Sequence, residues 1–167
     1  MQIGVPKEIK AFENRVGLTP ASVREMIGNN HNVIVETNAG HAIGFDDADY
    51  EAAGATIASS APDVFRIADL IVKVKEPQAT EIQMLREEQI LFTYLHLAPD
   101  VRQTTGLLES GCTGIAYETV TDDTGGLPLL APMSEVAGRM AVQAGATCLE
   151  IANGGRGVLL GGVPGVT

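Results

Sequence analysis

The chain has 167 residues, 45% of them hydrophobic, and a formal net charge of -10 at pH 7. That length suffices for one domain with a real core and the beginning of a second. The negative balance, with no run of Lys or Arg to interrupt it, repels phosphate backbones and argues against nucleic acid as a partner.

Cys112 and Cys148 lie far apart without CxxC spacing, so neither a metal site nor a disulfide framework is expected, and a reducing cytoplasm fits best. The N-terminus lacks the charged and apolar regions of a secretory leader, and no apolar stretch approaches the ~20 residues that span a bilayer. A soluble, unexported protein without membrane partners is expected.

In chain order, apolar runs rich in β-branched residues at Gln2 to Val5, Asn32 to Glu36, Asp69 to Val74, Ile90 to Leu95 and Gly114 to Val120 predict buried strands. Helical patterns lie between them. Thr19 as N-cap and Pro20 at the first helical position open a helix to about Ile27, and Asp46 to Ala53 follows a turn-like Gly44. Pro62, Pro77 and Pro99 mark further helix starts, with Leu85 and Leu107-Leu108 on apolar faces. This alternation predicts an α/β fold, a parallel Rossmann-like sheet with helices on both faces.

Thr121 to Pro128, with Asp122-Asp123 and Gly125-Gly126, has the composition of an exposed turn or hairpin tip that closes the first domain. From Pro132 to Ala152, residues Met133, Val136, Ala137, Met140, Ala141, Ala144 and Cys148 recur at helical spacing, which predicts one long linker helix whose stripe is used for packing. The glycine-rich 154–165 segment reads as a flexible connection, and no further strand precedes Thr167. The expected division is therefore residues 1–130 and residues 131–167.

Ligands of parallel sheets sit beyond the carboxyl ends of the strands, so the residues ending each run are the candidates for chemistry. Arg15 follows the first strand; its planar fork could grip a carboxylate through two parallel hydrogen bonds, and a surface pair with Glu13 or Glu8 is the simpler alternative. Lys75 ends the third run before Pro77, on the same face as Lys73, and could hold a carboxylate or polarise a carbonyl; otherwise it snorkels to solvent.

His96 ends an apolar strand just before a helix, unlike His31 and His41 in polar or small-residue turns. Its near-neutral titration suits a general acid/base, with Tyr94 two residues back on the same face. A structural histidine remains the alternative. No complete G-x-G-x-x-G, phosphate-binding P-loop, HExxH or GxSxG motif is present.

Gly4 to Glu8, Glu13 to Val16 and Thr19-Pro20 together resemble the opening signature of the alanine dehydrogenase and pyridine nucleotide transhydrogenase family. Glu36 to Gly40 with Gly44-Phe45, Val72 to Pro77, Phe92 to Ala98, Ala116 to Val120 and Leu129 to Glu135 continue the resemblance in order along almost the whole chain. The His-bearing strand favours the alanine dehydrogenase branch.

The resemblance implies a hexameric enzyme that interconverts L-alanine with pyruvate and ammonia using NAD. It also implies that residues 1–130 are the N-terminal part of a substrate domain and residues 131–167 the start of an NAD-binding domain. By the same resemblance, Arg15, Lys75 and Tyr94 would contact substrate, His96 would be the acid/base, and Met133 and Ser134 would lie beside the cofactor. The family's glycine motif and catalytic aspartate would come later, which would make this chain an N-terminal portion. Two other readings stay open: the nucleotide-binding portion of a transhydrogenase, and a non-catalytic assembly module.

Overall fold

Alternation of Ile3, Val5, Val33 and Val35 with Gly4 and Ile34 gives strands that bury both faces. The computed structural model describes residues 1–166; Thr167 lies outside the described residues. It contains a six-stranded sheet of β1 (Gln2–Val5), β2 (Asn32–Glu36), β3 (Thr56–Ala58), β4 (Leu70–Val72), β5 (Ile90–Thr93) and β6 (Thr113–Ala116). The spatial order is β3-β2-β1-β4-β5-β6, and every pairing is parallel. Chain order reverses between β1 and β4, so a crevice opens beyond the carboxyl ends of these two neighbours.

Helices α1 (Pro20–Gly28), α2 (Asp47–Ala52), α3 (Ala61–Ile67), α4 (Ala79–Ile82) and α5 (Val101–Ser110) connect the strands. On one face Val23 of α1 and Tyr50 of α2 pack with Ile3, Val5, Val33, Val35 and Val72. On the other, Val64 and Phe65 of α3 pack with Ile34, Ile71 and Leu91, joined by Leu85 and, at the margin, Leu107 of α5. The expected doubly covered parallel sheet is the observed one. α1 starts where expected because Thr19 accepts a hydrogen bond from the Ser22 N–H and Pro20 has no N–H to leave unsatisfied.

Several boundaries differ from the sequence expectation. Strand β3 has only three residues, Thr-Ile-Ala, too few to produce a recognisable alternation. The run Asp69 to Val74 pairs as strand only from Leu70 to Val72, and Ile90 to Leu95 only to Thr93, so His96 lies beyond its strand rather than ending it. The run Gly114 to Val120 stops at Ala116, because Tyr117–Thr119 close into a 3-10 turn. Leu108 is largely exposed and not part of an apolar helix face.

The chain divides into two compact units, Met1–Val120 and Thr121–Thr167. In the second, α6 (Ala131–Leu149) carries proline in its first turn, as anticipated, but none of its residues is buried. Met133, Val136 and Met140 of the anticipated packing stripe are exposed. Among the described residues, no helix is long and apolar enough to cross a membrane.

Candidate active site

Beyond β1 the side chain of Glu8 turns inward, and beyond β4 that of Lys73 is fully buried. The Lys73 Nζ donates to Glu8 Oε2 at 3.1 Å and to Glu81 Oε1 of α4 at 2.7 Å. The other oxygen of Glu8 accepts the N–H of Val74 at 2.6 Å and that of Lys75 at 3.3 Å. Buried charges persist only when paired and hydrogen-bonded, and this cluster meets both conditions. Burial pushes the Glu81 carboxyl above its ordinary value, against the pull of Lys73 and of the Gln78 N–H. Lys73 and Lys75, expected on one face, differ in burial: Lys73 is held inside by two carboxylates, whereas Lys75 stays partly exposed.

The loop after β1 is drawn over the end of β4. A Cβ on Gly17 would lie 2.4 Å from the Val72 carbonyl oxygen, so only glycine allows this approach. Arg15 is thereby carried toward the crevice. Its Nε and Nη2 donate to the Glu13 carboxylate at 2.8 and 2.5 Å, and the Arg15 N–H adds a third bond at 2.8 Å.

The hydrogen bond from Arg15 holds the Glu13 carboxyl below its ordinary value despite partial burial, and the charge of Lys75 contributes. Arg15 is in turn stabilised as a cation, first by Glu13 and also by Tyr94 and Glu8. The Arg15–Glu13 pair foreseen as the simpler alternative exists, and it sits within electrostatic reach of Lys75 and Tyr94.

Lys75 lies past the end of β4, partly exposed, with Nζ 3.4 Å from Glu76. Its carbonyl accepts from the Thr93 hydroxyl at 2.8 Å, tying it to the end of β5. Beyond β5, Tyr94 is buried, and the His96 ring lies over it, centroids 5.9 Å apart and planes 18° from parallel. Tyr94 meets Tyr117 edge to face at 5.0 Å. His96 itself is exposed and takes a left-handed backbone conformation, φ +47°.

The Glu118 carboxylate accepts the N–H of Leu95 at 3.1 and 3.2 Å through its two oxygens, and that of His96 at 2.7 Å. Burial pushes this carboxyl up, but the donated N–H groups outweigh it and hold it below its ordinary value.

The carboxyl ends of adjacent strands β1, β4 and β5 thus bear Arg15, Lys75, Tyr94 and His96 in one unit. A cavity of about 190 Å³ opens at the ends of β1 and β2, lined by Lys7, Glu8, Glu13, Arg15, Asn38 and His41, so that Arg15 borders it and Lys75, Tyr94 and His96 do not. His41 is paired with Asp46 at 2.8 Å. Met133 and Ser134 belong to the first turn of α6 in the second unit, exposed, with the Ser134 hydroxyl 3.4 Å from the Leu130 carbonyl.

Sequence reasoning missed Glu8, Lys73, Glu81 and Glu118 as supports of the site. A lysine inside the apolar run Leu70 to Val74 was the available signal for the first three; Glu118, inside an expected strand, gave none.

An all-parallel sheet with charged and aromatic residues converging at the carboxyl ends beside its switch point defines a ligand-binding α/β domain. The model of the alanine dehydrogenase/PNT N-terminal domain matches residues 4–137, and the chain belongs to that family. It is 61% identical to an alanine dehydrogenase of Halomonas elongata over 166 residues, 99% of this chain and 45% of that protein. The corresponding enzyme of Methanococcus maripaludis is 55% identical, with 99% and 44% covered.

A solved L-alanine dehydrogenase superposes with a TM-score of 0.83 at 54% identity, covering 100% of this chain and 46% of that one. A transhydrogenase from Sinorhizobium meliloti gives 0.69 at 28% identity, covering 74% and 37%. The chain therefore spans just under half the length of the curated relatives it matches.

Proposed function

We propose that this chain is the substrate-binding half of an NAD-dependent alanine dehydrogenase, which oxidises L-alanine to pyruvate and ammonia and runs in both directions. The observation that carries the reading is the convergence of Arg15, Lys75 and the Tyr94–His96 stack at neighbouring strand ends. High identity to alanine dehydrogenases over nearly the whole chain supports it, whereas the transhydrogenase likeness covers less of the chain at lower identity. A purely structural module has no use for that set of side chains.

Arg15 and Lys75 hold the substrate carboxylate. Glu13 fixes the plane of the Arg15 guanidinium, so a planar carboxylate meets a preset partner. Tyr94 lines the pocket and supports the His96 ring. In oxidative deamination, His96 takes the proton of the water that attacks the imine carbon and returns it to the departing ammonia. Such a group typically contributes ~10²- to 10⁴-fold to the rate.

NAD would supply the hydride acceptor. Met133 and Ser134 are its proposed neighbours, but the described residues do not fit the whole cofactor. Gly154, Gly157, Gly162 and Gly165 adopt left-handed turns without a preceding strand, so the strand, glycine turn and helix that cradle a pyrophosphate are not assembled among them. A cytoplasmic, hexameric full-length enzyme completes the proposal.

The test is NADH formation from L-alanine by a full-length form, these residues followed by the further length that the relatives carry. Alanine-dependent NADH supports the reading. Hydride exchange between nicotinamide nucleotides, with no response to alanine, would replace it with the transhydrogenase alternative.

A further inference from the structure

We propose that Glu118 is a positioning residue for His96: by accepting the N–H groups of Leu95 and His96, its carboxylate holds the left-handed backbone that lays the imidazole along the Tyr94 ring. The proposal rests on the acid/base reading of His96 given above.

The argument begins with the backbone. His96 has a Cβ yet adopts φ +47°, a conformation that L-residues enter rarely and keep only where their surroundings impose it. A histidine side chain has just two torsions, so the backbone φ and ψ, which set the Cα–Cβ direction and restrict the allowed rotamers, strongly limit where its ring can lie. What imposes φ is visible on both sides of the residue.

Successive N–H groups of Leu95 and His96 converge on the one anion, at 3.1 and 2.7 Å. Such convergence is the geometry in which the backbone binds an anion best. Behind them the Leu95 carbonyl accepts from the buried Gln103 Nε2 at 2.5 Å, and ahead the Leu97 carbonyl accepts from the Thr104 hydroxyl at 3.1 Å. These two contacts come from α5, whereas Glu118 comes from the turn after β6 and binds the N–H of His96 itself. Tyr117, its neighbour, packs edge to face on Tyr94, so one short turn supports both members of the stack.

The test is a double-mutant cycle in the full-length form with Glu118→Ala and His96→Ala, read as kcat and pyruvate KM beside the denaturation midpoint. Small displacements of a reacting group can cost ~10²-fold, so E118A is expected to lower kcat ~10- to 100-fold. The pyruvate KM should stay within ~3-fold, because Arg15 and Lys75 bind the carboxylate. In the H96A background, E118A should change kcat by less than ~2-fold, since nothing remains to position. A residue that merely held the fold together would lower kcat equally in both backgrounds.

Should E118A fail to fold, Glu118→Gln enters the same cycle. Its amide keeps one acceptor oxygen without the charge, so a smaller loss is expected, again confined to the His96 background. An unchanged kcat in E118A or E118Q, or equal losses with and without His96, overturns the proposal. The two possible failures separate: if H96A loses turnover and the Glu118 variants do not, positioning alone is wrong. If H96A retains turnover, the acid/base reading falls and the positioning proposal falls with it.

Discussion

Lys73 and Glu8 form an ion pair at 3.1 Å with the lysine side chain wholly buried and that of Glu8 nearly so. The pair joins the loop after β1 to the end of β4, the two strands that flank the crevice. Glu81 closes the cluster from α4. Removing the lysine leaves two buried carboxylates facing each other without a cation. Breaking a buried pair in this way costs about 3–5 kcal/mol.

Lys73→Met is therefore expected to lower unfolding free energy by that order in urea titration, whereas Lys75→Met, at a partly exposed lysine paired with Glu76, should cost less than about 1 kcal/mol. Equal effects of the two substitutions would show that the buried cluster is not what ties β1 to β4.

Arg15→Lys keeps the charge but turns a bidentate fork into a point donor, and it also loosens the double contact with Glu13. Pyruvate KM is expected to rise ~10-fold, the equivalent of about 1.4 kcal/mol of lost binding. An unchanged pyruvate KM would return Arg15 to the role of a surface ion pair.

Much of this arrangement was legible in the sequence for a physical reason. Parallel strands buried on both faces must be apolar throughout, so β1 and β2 announced themselves to the residue, and Thr19-Pro20 marked α1 by its capping chemistry. The three-residue β3 carried no such pattern. Arg15, Lys75 and His96 stood out because ionisable residues at the ends of apolar runs lie where such sheets bind ligands. Glu8 and Glu118 did not, because their partners, a lysine and backbone N–H groups, lie far away in sequence. Lys73 to Glu8 spans 65 positions, and no local periodicity encodes such a pairing.

The Glu118 carboxyl gives a pH prediction. Its value in the folded protein lies below the ordinary 4.5, since the N–H groups of His96 and Leu95 favour the charged form over the cost of burial. The stability it contributes is thus fully present above 4.5 and disappears as pH falls through the lower, folded value. Carboxyl carbon NMR should show Glu118 titrating below 4.5, with the His96 amide resonance following the same curve. A midpoint at or above 4.5 would mean that the carboxylate does not hold those amides in solution.

The 167-residue chain by itself is expected to lack alanine-dependent NADH formation, although it holds Arg15, Lys75 and His96. The described residues assemble no pyrophosphate cradle, and β6 leaves an edge of the sheet exposed, with Ile115 43% accessible. Calorimetry should detect no micromolar NAD affinity, and light scattering should show self-association. Tight NAD binding by this chain would mean that the glycine-rich 154–165 segment forms a cofactor loop.

The most direct measurement compares the full-length form with its His96→Ala variant, following NADH formation from L-alanine and NADH binding by fluorescence side by side. Turnover should fall by ~10²- to 10⁴-fold while NADH affinity stays nearly constant, because the role proposed for His96 is on the substrate and not on the cofactor. Turnover by the variant within ~3-fold of the parent would contradict the assignment of His96 as the acid/base.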